Sequence, residues 1–176
     1  VLGGGNTAMD CCRSSRRLGG ENVKAIVRSG FQEMKSSEWE REDAQNEGIE
    51  ILNYLVPLEF THDRGKLTGI TFEPVRPVYD EKGKRTLIPT GEGWKHFECD
   101  DVLIAIGQDN AFPWIERDIG LEFNRGMPVV DPKTMQATLS GVFFGGDAEN
   151  KKKNIITAVA HGHEAAISID KFCRGE

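Results

Sequence analysis

The chain is 176 residues long, 38% hydrophobic and 28% charged, and its 22 Lys and Arg against 28 Asp and Glu leave a net charge of −6. That length buries one good core or two small ones. The acidic balance argues against a general nucleic-acid binder, which needs a basic surface for phosphate, and no run approaches the ~20 apolar residues of a membrane span.

Val1-Leu2 reads as the stub of a buried strand, so the natural polypeptide is expected to begin further upstream. Residues 6–18 follow as a helix stopped by Gly19-Gly20, and residues 23–27 as a short β-branched strand, which makes a βαβ unit. Residues 28–35 form a polar loop. A helix is predicted over 38–46, with Ser37 and Glu40 spaced as a capping box and Gly48 as its stop. Residues 49–52 give a third strand. Residues 67–75 alternate apolar and polar side chains, as a half-buried antiparallel strand does. Residues 80–83 make a turn, and the segment to Gly93 reads as loop.

Phe97 opens a stretch leading into Val102-Leu103-Ile104-Ala105-Ile106, a continuous apolar run expected for a strand buried on both faces. A domain boundary is placed near residue 108, giving domains 1–108 and 109–176. Residues 110–132 are rich in turn formers. Val142-Phe143-Phe144 reads as another buried strand, ending in Gly145-Gly146-Asp147. From Asn154 a helix runs toward Phe172, with Ile155, Val159, Ala166 and Ile169 on one face.

Three motifs carry chemistry. In Gly3-x-Gly5-x-x-Ala8 two glycines permit a tight turn and a close approach to a pyrophosphate. Ala8 lets the helix pack near the sheet, and the helix N-terminus offers free N–H groups to phosphate. The end of the following strand selects the nucleotide: an NAD site usually carries Asp or Glu there, whereas this sequence has Val27-Arg28-Ser29. A cation suits a 2′-phosphate, so the expected nucleotide is NADPH. Arg13, Arg16 and Arg17 on the nearby helix read as surface charge, one of which could assist. The third motif is the strand ending in Gly146-Asp147: a carboxylate there can reach a flavin's ribityl hydroxyl, and the next helix can aim its N-terminus at the flavin's phosphates. The same Asp serves equally as a helix cap.

Other candidates read as structural. Cys11, Cys12, Cys99 and Cys173 lack C-x-x-C spacing and are expected as reduced thiols of a cytoplasmic protein. His161 and His163 have no partner at ligand spacing. Lys151-Lys152-Lys153 reads as a solvated loop, and Trp39, Trp94 and Trp114 as packing residues. No metal site and no catalytic acid, base or nucleophile is named.

Taken in order, residues 3–11, Val27-Arg28, residues 105–108 and residues 138–147 resemble the small (beta) subunit of NADPH-dependent glutamate synthase and its relatives in the pyridine nucleotide–disulfide oxidoreductase superfamily. The resemblance spans essentially the whole chain. It implies an α/β fold: a Rossmann-like NAD(P)-binding domain, with a central parallel sheet, helices and an antiparallel β-meander, plus the C-terminal part of a Rossmann-like FAD-binding domain. It further implies hydride transfer from NADPH to FAD and onward passage of electrons through iron–sulfur clusters.

Carried over by position, Gly3, Gly5, Asn6, Thr7 and Ala8 line the NADPH pyrophosphate, and Arg28 meets the 2′-phosphate. Gly107 closes the return crossing between domains, and Gly146 and Asp147 touch FAD. The implied partners are the remainder of the FAD domain, an iron–sulfur domain upstream, and a large glutamate synthase-type subunit or another electron acceptor. Three features depart from the pattern. The FAD glycine motif and cysteine clusters are absent, Ser29 stands where a second arginine often follows, and Met34-Lys35 replaces a common Met-Pro. The FAD site is therefore expected to be incomplete, with weak NADPH binding and negligible FAD binding by the isolated chain. Two alternatives are a nucleotide-binding or interaction module without redox activity and a flavin-free NADP dehydrogenase.

Overall fold

The computed structural model describes residues 1–116, 118–149 and 154–176. Its order begins α1 (Asn6–Arg17), β1 (Lys24–Val27), α2 (Glu38–Asn46), β2 (Glu50–Asn53), β3 (Leu55–Asp63) and β4 (Lys66–Tyr79). It continues with β5 (Arg85–Pro89), β6 (Lys95–Glu98), β7 (Phe123–Asn124), β8 (Met127–Pro128) and α3 (Ile155–Arg174). The chain divides into two compact units, Val1–Gly107 and Gln108–Glu176.

In the first unit β1 pairs in parallel with β2 from Lys24↔Glu50 to Val27↔Asn53. Leu2 bridges in parallel to Ile26 on one side and to Ile104 on the other. The parallel order is therefore β2, β1, the Leu2 segment, the Ile104 segment: the third, second, first and fourth segments of a doubly wound sheet. Alternation along β1 divides the core. Ala25 and Val27 join Ala8, Met9, Cys12, Met34, Ala44 and Ile49 on the helical face. Ile26 joins Leu2, Leu55, Ile70 and Phe72 on the other.

That second face is covered by an antiparallel meander in which β4 pairs with β3, β5 and β6. Phe72, fully buried, meets Phe97 edge-on at 5.7 Å between ring centroids. Strands β3 and β5 both lie in stretches that lack a clean alternation. β3 is largely exposed and is interrupted by bulges near Pro57 and Thr61, and β5 follows a charged turn. The segment 85–89, read as loop, is a strand.

Several expectations are corrected. Residues 102–106 form no continuous buried strand. The backbone link to Leu2 consists of two hydrogen bonds, Leu2 N to Leu103 O at 2.8 Å and Ala105 N to Leu2 O at 2.7 Å. Beyond that short ladder the segment is uncovered, and Ile104 and Ile106 are 63% and 77% exposed. Ser37 does not cap α2 with its side chain. Its backbone N–H donates instead to Asn6 Oδ1, and Glu40 is drawn to Arg13.

The second unit is built around Phe112, Ile115, Leu121, Ala137 and Phe144. Phe112 lies about 6 Å from both Phe123 and Phe144, at centroid distances of 5.9 and 6.0 Å. β7 and β8 form a minimal hairpin whose loop residues, Arg125 and Gly126, both have positive φ, as a type I′ turn requires. Residues 142–144 make a bridge at Gln136↔Phe143, and Phe144 is buried, but no continuous strand forms there. In α3, Ile155, Val159 and Ile169 are exposed rather than packed. The half-buried positions are Thr157, Ala158, His161, Ala165 and Ser168. The glycines opposite them admit close approach: Cβ atoms on Gly145 and Gly146 would lie 3.0 Å from His161 Cβ and 3.3 Å from Ala158 Cβ.

Candidate functional site

The glycine turn lies where the strand order reverses. Gly3 leaves the Leu2 segment with its N–H bonded to Ile26 O at 3.2 Å, in a backbone conformation (φ 141°) that L side chains rarely adopt. A Cβ there would sit 2.2 Å from the Ala105 carbonyl oxygen. Gly4 is confined too, since its Cβ would meet Val27 Cγ1 at 2.8 Å. Gly5 differs: a Cβ on it would meet nothing within 4 Å. Two glycines thus fit the turn between neighbouring segments, and the third leaves open space before the helix.

That space is bounded by the start of α1. Gly5 is its N-cap and provides no side-chain cap. The backbone N–H groups of Asn6 and Thr7 find no acceptor among the described residues, whereas Ala8 N and Met9 N bond back to Gly5 O. Unpaired donors at the positive end of a helix, facing space that no side chain fills, suit a diphosphate. Asn6 uses its side chain elsewhere, accepting from Ser37 N at 2.9 Å, and Ser36 N donates to Gly4 O at 2.9 Å. Residues 36 and 37 therefore clamp the turn, a role carried by backbone atoms and invisible in their side-chain types. Ala8 is fully buried beneath Gly3.

Arg28 follows the last residue of β1, the strand beside the glycine turn. Its guanidinium is exposed and makes no hydrogen bond or ion pair among the described residues. Gly107, two residues past Ala105, is exposed with φ 103° and open space around it.

The arginines of α1 are occupied. Arg13 contacts Glu40, Asp43 and Glu47 at 3.1, 3.1 and 2.8 Å, and Arg17 shares Glu47. Hydrogen bonds from both guanidiniums hold the Glu47 carboxyl down at about 2. Arg16 donates to Gly20 O.

In the second unit Gly146 (φ 61°) and Asp147 begin a short 3-10 turn, Gly146–Ala148. The Gly146 N–H donates to His161 Nδ1 at 3.1 Å. The same ring nitrogen lies 3.5 Å from Glu149 Oε2. Asn110 Nδ2 donates to Asp147 O at 2.6 Å, which leaves the exposed Asp147 carboxylate free of partners among the described residues. Asp147, Asn154, Ile155 and Ala158 line an open cavity of about 370 Å³ at the start of α3. The Asn154 side chain caps that helix by accepting from Thr157 N. A carboxylate beside a helix N-terminus suits a ligand edge bearing hydroxyls and phosphate.

Lys151, Lys152 and Lys153 lie outside the described residues. The tryptophans expected to pack do not: Trp39, Trp94 and Trp114 are all at least two-thirds exposed, and Trp114 touches Phe112 at 6.4 Å between centroids. All four cysteines are free, and among the described residues no helix is long and apolar enough to cross a membrane.

Comparison with known proteins gives the chain a family. The pyridine nucleotide-disulphide oxidoreductase family model matches residues 1–162. The chain is 36% identical over 176 residues to the NADP(+)-dependent formate dehydrogenase subunit beta of Moorella thermoacetica, covering 99% of this chain and 25% of that one. It is 31% identical to the glutamate synthase [NADPH] small chain of Azospirillum brasilense, covering 100% of this chain and 37% of the relative. Among solved structures, thioredoxin reductase of T. acidophilum superposes with a TM-score of 0.80 at 21% identity, over 99% of this chain and 51% of that one. The chain thus spans between a quarter and about two-fifths of the length of these curated relatives.

Proposed function

We propose, for a chain that belongs to the pyridine nucleotide-disulphide oxidoreductase family, that Val1–Gly107 is an NADPH-binding domain of an NADPH-dependent flavoprotein oxidoreductase and that Gln108–Glu176 is the C-terminal part of its FAD-binding domain. The observation that carries the reading is the open space before Gly5, faced by the unpaired N–H groups of Asn6 and Thr7 at the switch point of a parallel sheet. In this reading those donors hold the pyrophosphate, the buried methyl of Ala8 keeps α1 close to the sheet, and Arg28 meets the 2′-phosphate. Gly107 lies at the end of the Ala105 segment beside the nucleotide. In the other unit Asp147 accepts from a ribityl hydroxyl, and Gly146, whose N–H is committed to His161, shapes the turn that presents it.

The nucleotide and flavin, when bound, supply the hydride donor and acceptor. The protein's own residues bind and orient, and none is assigned as acid, base or nucleophile. Electrons then leave through iron–sulfur clusters to a glutamate synthase-type large subunit or another acceptor. Support comes from relatives named as subunits of NADP(H)-linked enzymes. Four free cysteines suit a reducing compartment, and we place the protein in the cytoplasm. Titration of the purified protein with NADPH, followed by calorimetry, tests the reading. Saturable binding lost in Gly5→Val supports it; no binding, or binding unchanged in that variant, overturns it.

A further inference from the structure

Arg85 lies 57 positions from Arg28 in the sequence, yet its Nη2 reaches the Arg28 carbonyl oxygen at 3.4 Å. It arrives as the first residue of β5, paired with Tyr79 at the end of β4. The meander thereby carries a second guanidinium to the C-terminal end of β1. There Arg85 Nη2 also contacts Glu33 Oε2 at 3.1 Å. Glu33 is held from three sides: it accepts from Gly30 N at 2.6 Å, from Tyr79 Oη at 3.0 Å and from Arg85.

The bonding of Arg85 is incomplete. A guanidinium offers five N–H donors in a fixed fork, and here the contacts are made by one nitrogen. Its Nε is buried and has no acceptor among the described residues, while the side chain as a whole is still partly exposed. A buried donor without a partner is costly, so this arrangement favours an incoming anion that can draw the fork outward. Two arginines meet one carboxylate here: Arg28, without a side-chain partner among the described residues, and Arg85, half-satisfied, stand by Glu33. A phosphate monoester dianion matches two guanidiniums better than one.

We propose that Arg85 is a second residue recognising the 2′-phosphate of the nucleotide, exchanging Glu33 for phosphate on binding. The proposal rests on the nucleotide reading above. In it Arg28 gives the approach charge from the strand end, Arg85 gives the fork from the meander, and Glu33 holds that fork in place until phosphate arrives. Discrimination between NADPH and NADH is then shared by two parts of the chain.

Calorimetry with NADPH and NADH on the purified protein and its Arg28→Gln, Arg85→Gln and Glu33→Gln variants tests it. Arg85→Gln is expected to weaken NADPH about tenfold and to leave NADH within about twofold, since a charge-assisted hydrogen bond to phosphate carries that much. Glu33→Gln keeps an acceptor for Gly30 N but removes the competing charge, and is expected to strengthen NADPH two- to threefold. If Arg85→Gln weakens both nucleotides alike, or neither, Arg85 is only a tie between the meander and the loop. Should Arg85→Gln fail to fold, Glu33→Gln carries the test, and weaker NADPH binding in it overturns the proposal. Equal affinity of the unaltered protein for NADPH and NADH contradicts the nucleotide reading itself. A preference lost in Arg28→Gln and intact in Arg85→Gln contradicts the role of Arg85 alone.

Discussion

Gly3 and Ala105 stand so close across the reversal of strand order that a single added methyl group on Gly3 would lie 2.2 Å from the Ala105 carbonyl oxygen. Gly5, two residues on, has nothing within 4 Å of the same imagined atom. One glycine is therefore required by the protein and the other by whatever the turn receives. The difference separates folding from binding within three residues.

Gly3→Ala is expected to cost about 2–4 kcal/mol, combining overpacking against backbone with a φ that alanine resists. Gly5→Ala is expected to change stability by less than about 1 kcal/mol, because its φ of −96° suits any residue. It should nonetheless weaken NADPH by about tenfold or more, since the methyl occupies space next to the phosphate-facing N–H groups. Denaturant unfolding and calorimetry on the two variants measure both effects. Equal losses of stability would contradict the division of roles.

Phe72→Ala is expected to destabilise the protein by about 3–5 kcal/mol, as a fully buried aromatic removed from a core does. It also loses the edge-on contact with Phe97. Chemical denaturation reads the change directly.

Glu47 links α1 to α2 through Arg13 and Arg17, with its carboxyl held at about 2 against an ordinary 4.5. Its folded value is depressed, so its stabilising contribution is present above about pH 4.5 and is lost as pH falls toward 2. Melting temperature measured against pH should fall through that window. In Glu47→Gln the fall should be shallower, with a lower melting temperature at neutral pH.

Burial pushes the Cys12 thiol up to about 11. At pH 8 its thiolate fraction is on the order of one part in a thousand, and the side chain is inaccessible. Exposed Cys173 should alkylate first and Cys12 only on unfolding, with peptide mass spectrometry as the readout. Labelling of Cys12 in the folded protein would contradict the placement of α1 against the sheet.

The first 53 residues were readable in the sequence because local and global signals agree there. The glycine turn, a helix with a buried Ala8-Met9-Cys12 stripe, and the β-branched strand each announce themselves. The helix Glu38–Asn46 has the bounds its sequence predicts, although Ser37 spends its backbone on Asn6 rather than its hydroxyl on a cap. The meander was legible only at its centre. β4 alternates apolar and polar side chains in the sequence and carries the buried Ile70, Phe72 and Val75, although Thr71 between them is buried as well, whereas β3 and β5 are flanking strands with few core positions.

The apolar run 102–106 misled for a different reason. Hydrophobicity signals a need for burial, but Ile104 finds only the single bridge to Leu2. Isoleucines and valine along α3 are likewise exposed, while Ala158 and His161 come close to the backbone of Gly146 and Gly145, where the lack of a Cβ leaves room for the helix. Around Arg28, no local pattern could have revealed Arg85. A contact across 57 positions depends on strand pairing far from the motif.

The central claim is that the first unit binds NADPH and distinguishes it from NADH through a cation at the end of β1. Calorimetric comparison of the two nucleotides on the unaltered protein and on Arg28→Gln tests it most directly. The account expects NADPH to bind at least tenfold more tightly, with the variant losing most of that preference and keeping its affinity for NADH. Equal affinities for the two nucleotides, or a preference that survives intact in Arg28→Gln, would contradict it.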